Sequence, residues 1–518
     1  MENNWKALAV ALAISIVVLA LFSRTARETT DRVDFNRRAM LWAALTLVGF
    51  LTPSFWFYAL PTALMMLFFA PQDGNRVAFY LFLIFALPPI PMQIPGFGAI
   101  NYLFAVDHLR LLALTVLLPA ALLPPADSRS DARLGRSGLD RILLAYIVYL
   151  FLLQVVYTTP TDAARQGFYY FIDIFLPYYA VGRMTGSVEK IRGSATMLVA
   201  AACVLAAMAI FEATRHWLLY ANLTGSWEAN WGFGRYLPRN ETIRAMATTG
   251  HSIALGYVLV VALAFGSYLF LRSPADTRSR WMPWLLLITA GLIATLSRGP
   301  WVGAAILVAA FFATAPRIRA RHVLTVGALA GLGGLVLLTP LGEIVIDYLP
   351  FVGSVDTENV TYRQRLVEIS LMIIQEYPLF GIPFFLSLPE MQSLRQGQGI
   401  IDIVNSYIGL ALSSGLIGLG LFASFFALLA FGILRVSRRL AEVDSELHLL
   451  GRMLFAVVVS ILVMIATVSS VTVIPVLYWS IAGMGASYIA IARRRLEQTE
   501  TEAQPAFPVG GESGLEHA

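Results

Sequence analysis

Apolar runs long enough to cross a bilayer follow one another along most of this 518-residue chain. A helix needs about 20 mainly apolar residues to cross a hydrocarbon core about 30 Å thick. Candidate spans fall at 5–22, 40–51, 55–69, 77–90, 109–123, 142–157, 168–181 and 195–211. They continue at 253–271, 282–296, 301–315, 323–339, 415–434, 453–468 and 473–492. Pro53 splits the run 40–69 into two spans joined by a hairpin turn. The pattern predicts an all-α, polytopic integral membrane protein with about 14–15 transmembrane helices. One long interruption, 341–402, stands out as a loop, and within it a helix is expected from Thr361 to Gln375.

Charge then sets an orientation. Basic residues recur in alternate connections, at 24–38, 128–141, 183–192, 272–280, 317–321, 435–439 and 493–495. The positive-inside rule assigns these to the cytoplasm. The loop 341–402 is then extracytoplasmic, with the N-terminus outside and the C-terminal tail inside. The expected organisation is N-terminal spans (1–200), spans with arginine-bearing outer loops (201–340), the extracytoplasmic loop (341–402), C-terminal spans (403–495) and a disordered cytoplasmic tail (496–518). The composition, 58% hydrophobic and 13% charged, agrees with a membrane protein. The net charge of +5 serves topology and gives no sign of nucleic-acid binding. Small residues in GALAGLGGL and AGMGAS suit close helix packing.

Several arginines are left on the outward side, where topology does not require them. Arg298 lies in the turn LSRGP between two spans, Arg244 just precedes the span at 253–271, and Arg363 and Arg365 sit in the loop helix. Guanidinium is planar, permanently charged and able to donate two parallel hydrogen bonds, which suits a phosphate or diphosphate. The alternative is a set of snorkelling or surface-paired arginines, least apt for Arg298 in its turn between apolar spans. Asp402 and His251 each open an apolar segment, where Asp402 could serve as a general base. Aromatic residues from Trp227 to Leu237 fit an interfacial belt or a sugar-stacking surface. The outer segments hold no DxD, HExxH or His/Asp cluster with metal spacing, and no GxxxxGK[ST] loop occurs. No metal or other cofactor is expected. Cys203, the single cysteine, lies mid-span and excludes a disulfide framework.

Four segments in order, IRAMATTGHSIALGYVL, TLSRGPWVGAAILV, YRQRLVEISLMIIQEYPLFGIPFF and NSYIGLALSSGLIGLGLF, resemble the O-antigen ligase and O-antigen polymerase superfamily of bacterial envelope glycosyltransferases. The resemblance covers roughly residues 211–422. It implies a metal-independent, inverting glycosyltransferase that takes polyprenyl diphosphate-linked oligosaccharide on the extracytoplasmic face of the bacterial cytoplasmic membrane. A polymerase joins repeat units, whereas a ligase moves finished glycan to a lipid acceptor. By position, Arg244 and Arg298 would hold the diphosphate; Asp402, two residues before Val404, is the candidate base on its own chemistry. Arg363, Arg365, Asn405, Tyr407 and His251 form the candidate substrate-binding set. Ligases of the family typically carry His-Asn where this chain has Val404-Asn405, which favours polymerase. Ser413 or Ser414 stands where an acid is expected. Implied partners are the lipid-linked donor, a glycan acceptor, membrane lipids and a chain-length regulator. A lipid-linked sugar flippase or transporter is the rival of another class; it would need ionisable residues along mid-membrane helix faces. Asp173 is the clearest such residue.

Overall fold

A computed structural model of the chain describes residues 2–98, 100–123, 135, 137–229, 238–239, 242–315, 357–395 and 401–503. The expected span at 323–339 with its GALAGLGGL stretch, the first part of the long loop, Arg235 with most of the aromatic segment after Trp227, and the tail beyond Ala503 lie outside the described residues.

The protein is an all-α, polytopic membrane protein. Its first half comprises α1 (Glu2–Ala26), α2 (Arg32–Leu51), α3 (Phe55–Phe69), α4 (Arg76–Leu83), α5 (His108–Leu122), α6 (Gly138–Tyr157), α7 (Pro160–Tyr169), α8 (Leu176–Met184) and α9 (Val188–Arg215). The second half adds α10 (Ser252–Arg272), α11 (Met282–Ala294), α12 (Arg298–Ala313), α13 (Thr357–Glu376), α14 (Ser406–Arg439), α15 (Ser445–Ile465) and α16 (Ile474–Ala503). Strands among the described residues are confined to two short antiparallel hairpins. Eight of the described helices are long and apolar enough to cross a membrane, and α5 and α12 are shorter apolar helices.

Helices α9 and α10 are buried nearly all round and form the centre of the bundle. The alanine-rich run of α9 lets neighbours approach on every side, and α1, α4, α10 and α11 pack against it. The AGMGAS stretch behaves likewise. A side chain on Gly483 would collide with the Tyr178 carbonyl of α8. Exposed Leu, Val and Phe side chains on α1, α3, α6 and α14 form the bundle's outer, lipid-facing surface.

Ion pairs gather the basic connections at one end. The Arg38 guanidinium donates to Asp73 from Nε (2.9 Å) and Nη2 (2.5 Å), tying the start of α2 to the residues after α3. That pair closes the hairpin expected at Pro53. Glu446 at the start of α15 accepts from Arg192 (2.5 Å) and the Tyr268 hydroxyl (3.0 Å) and forms an ion pair with Arg272 (2.9 Å). Buried acids paired this way no longer carry an uncompensated charge. Asp173 is paired as well, with Arg110 Nη2 at 2.7 Å, rather than standing alone in a helix face.

Two expectations need correction. The span at 77–90 is helical only over Arg76–Leu83, and residues 84–90 continue as buried irregular chain. Pro88, Pro89 and Pro91 supply no N–H for a ladder. The polar groups freed there are met by side chains: His108 Nε2 donates to Leu83 O (2.8 Å) and the Thr248 hydroxyl to Phe85 O (2.7 Å). The polar tail is also shorter than expected, since α16 runs on to Ala503.

Candidate functional site

At the end opposite the basic one, a buried carboxylate organises the chain. Glu212, in the last turn of α9, is fully buried, and its Oε1 accepts from Leu219 N at 3.0 Å. Its Oε2 accepts from Met246 N and Ala247 N, both at 2.9 Å. Three backbone donors offset the cost of burying the charge. They also hold Ala247 at φ 46°, a left-handed conformation unfavourable for a residue with a β-carbon. The segment entering α10 is thereby locked two residues after Arg244.

Arg244 is half-buried, and its Nη2 donates to Ser297 Oγ at 3.0 Å. Ser297 Oγ donates in turn to Thr295 O at 3.0 Å. Between them Leu296 is held at φ 48°, a second strained residue. Strain of this kind persists only where surrounding structure enforces it, and it gathers at functional sites. Arg298 then begins α12. The first turn of α12 has no acid and no side-chain cap, so a guanidinium sits beside the positive end of a helix dipole. That position is unfavourable for a cation and favourable for an anion.

His251 caps α10, its Nδ1 accepting from Ile253 N at 3.3 Å, which requires an unprotonated Nδ1. Burial first, and then the nearby Arg244 charge, lower its pKa from the ordinary 6.5 to about 4. The imidazole is therefore neutral throughout the physiological range.

The connection between α15 and α16 joins this corner to the long loop. A β-carbon on Gly299 would lie 2.5 Å from the Thr467 hydroxyl, so the start of α12 rests on that connection. Two residues on, Ser469 Oγ lies 2.6 Å from Asp402 Oδ1 and 2.5 Å from Ile403 O. The hydroxyl of Ser406 donates to Val468 O at 2.7 Å. Tyr362 of α13 exchanges hydrogen bonds with the Asp402 backbone, both at 3.0 Å. Arg244 is thus bonded to Ser297 at the start of α12, Asp402 is bonded to Ser469 and to the loop helix, and the α15–α16 connection packs against the first group and bonds the second.

The remaining candidates have more local surroundings. Asn405 caps α14, accepting from Tyr407 N (2.9 Å) and Ile408 N (3.3 Å). Tyr407 donates its hydroxyl to Leu462 O at 2.8 Å, fastening α14 to α15. The loop helix expected at Thr361–Gln375 is present as α13, but Arg363 and Arg365 are both exposed. Two residues apart, they project toward opposite sides of the helix and cannot line one inward wall. Glu212 and Ser469 were not singled out from sequence as parts of this arrangement. Its only sequence signal is an acid at the end of an apolar span.

Geometry and fold together define a multi-span membrane protein in which the start of α12, with Arg298 and its neighbour Arg244, and the carboxylate of Asp402 are both held against the α15–α16 connection. Residues 283–423 match the family model described as O-antigen ligase. The chain thus carries a domain consistent with the O-antigen ligase and polymerase superfamily, whose members are glycosyltransferase-like enzymes. The matched region takes in Ser297, Arg298, α13, Asp402 and Asn405, while Arg244 and His251 precede it. A comparison with curated proteins gives no match. The domain supports an O-antigen ligase- or polymerase-like function in general.

Proposed function

We propose that this protein is a membrane glycosyltransferase of the O-antigen polymerase type. It would extend a glycan from polyprenyl diphosphate-linked oligosaccharide on the extracytoplasmic face of the bacterial cytoplasmic membrane. The observations that carry the reading are the bond of Arg244 to Ser297 at the start of α12 and the bond of Ser469 to Asp402, both against the α15–α16 connection, with Ser297, Arg298 and Asp402 inside the matched region. The basic end of the bundle would face the cytoplasm by the positive-inside rule, leaving this corner outside.

In this reading the acceptor hydroxyl attacks the anomeric carbon with inversion. The bond from that carbon to the phosphate oxygen breaks, and its electron pair leaves with the diphosphate. Arg244, Arg298 and the N–H groups opening α12 stabilise the charge that develops there, so no metal ion is required. Removing one such preorganised stabiliser typically costs about 2.7–4 kcal/mol of barrier. Asp402, with Oδ1 held by Ser469, takes the hydroxyl proton on its other oxygen. Of the two loop-helix arginines, which project to opposite sides of α13, one would meet the glycan.

Ligase is the second reading, and the description of the matched family supports it. Val404 weighs against it, because valine cannot move a proton. Gene deletion separates the two: loss of polymer with single repeat units remaining supports polymerase. Full-length polymer accumulating on the lipid carrier would replace it with ligase.

A further inference from the structure

The turn that follows α13 sits against a break in α14. Gly415 interrupts that helix at φ 63°, ψ −172°, a conformation open essentially to glycine alone. The break frees backbone groups, and the turn takes them up. Leu416 N donates to Pro378 O (2.8 Å), Ile417 N to Leu379 O (3.3 Å) and Ile382 N to Leu412 O (2.7 Å). Tyr149 of α6 adds a bond from its hydroxyl to Leu379 O at 3.3 Å. Within the turn, Gly381 N donates to Tyr377 O (3.1 Å) and Phe385 N to Ile382 O (3.1 Å).

The side chains do the opposite of what a loop in water favours. Leu379 is 55% exposed, Phe380 49% and Phe384 44%, and Leu371 of α13 and Leu416 of α14 are exposed as well. Helix lengths give the height. From Gly415 to Arg435, α14 rises about 30 Å at 1.5 Å per residue, which is the thickness of a hydrocarbon core. Phe384 packs against Tyr157, the last residue of α6, with ring centroids 6.5 Å apart. Leu379 is bonded to Tyr149, about 12 Å lower along the same helix. Val155 and Val156, next to Tyr157 on α6, are exposed as well.

We infer that the turn 378–386 is a foot inserted into the outer half of the bilayer, with Leu379, Phe380 and Phe384 in contact with lipid hydrocarbon. Backbone can enter hydrocarbon only when its polar groups are met by protein, and the break at Gly415 supplies those partners. The loop would therefore ride on the membrane surface. That would hold the site at the height where a lipid-linked group emerges. The insertion itself does not depend on the proposed reaction.

Nitroxide scanning in proteoliposomes tests this. Phe380→Cys, Phe384→Cys, Leu428→Cys as a lipid-facing reference and Ser393→Cys as a water-facing reference would be labelled singly. Cys203 is buried and can be replaced by Ala or left in place if that variant fails to fold. Labels at 380 and 384 should collide more with oxygen than with a water-soluble nickel chelate, as at 428, with 380 the deeper of the two. Nickel access at 380 and 384 equal to that at 393 would overturn the inference. So would low access to both reagents with spin–spin broadening, which would mean that a second copy covers the surface.

Discussion

Gly415→Ala should detach the loop's foot from α14. A β-carbon at this position would collide with the Leu379 carbonyl and lie 2.5 Å from the Phe380 nitrogen. The opposing Gly381 leaves no room either, since its own β-carbon would lie 2.5 Å from Gly415 N. Both contacts are to backbone, so no rotamer change relieves them. The backbone conformation alone costs of order 1–3 kcal/mol for a non-glycine residue. Moving the turn away also sacrifices the three bonds at Leu416, Ile417 and Ile382, each worth about 1 kcal/mol net. Together these predict a loss of about 4–6 kcal/mol, local to the turn. Gly420, five residues on, has nothing within 4 Å of a β-carbon. Gly420→Ala should be neutral or stabilise α14 by up to about 1 kcal/mol. Thermal unfolding in nanodiscs, with limited proteolysis of the turn, separates the two. If Gly415→Ala melts and resists protease like the wild type, the interlock described here is wrong.

Glu212→Ala leaves three buried N–H groups without an acceptor, at about 1–3 kcal/mol each. It should lower the unfolding temperature sharply, with Glu212→Gln intermediate because an amide oxygen can retain some of the bonds. Equal stability of all three proteins would remove the clamp from the account. His251 binds fewer protons in the folded than in the unfolded protein between about pH 4 and 6.5, so stability should rise with pH across that window and level off above it. The full effect is about 3 kcal/mol. His251→Asn, which keeps a capping oxygen, should flatten the slope; an unchanged slope in melts taken from pH 4 to 7 would assign it elsewhere.

Much of the membrane fold could be read along the chain, because apolar runs and arginine placement are local signals. The hairpin at Pro53 and the helix around Tyr362 were both legible in this way. The segment 84–90 was not, since a buried irregular stretch is as apolar as a helix and only its prolines hint at the difference. In the candidate site, Arg244 and Arg298 stood out as charges without a topological role. Their contact through Ser297 is set by tertiary packing, as is the bond between Ser469 and Asp402. Glu212 carries no sequence signal beyond an acid at the end of an apolar span, because a carboxylate that binds remote backbone has no motif. The break at Gly415 and its partner at Leu379 are likewise set by tertiary packing.

The central claim is that the Arg244–Arg298 corner drives glycan extension from a lipid diphosphate donor. It is tested most directly in proteoliposomes given only polyprenyl diphosphate-linked repeat units. The account predicts that the wild-type protein builds a ladder of longer lipid-linked chains. Arg298→Ala and Asp402→Asn should insert and fold normally yet yield no ladder. Undiminished chain growth by Arg298→Ala, or wild-type protein that transfers glycan only when a separate lipid acceptor is added, would contradict it.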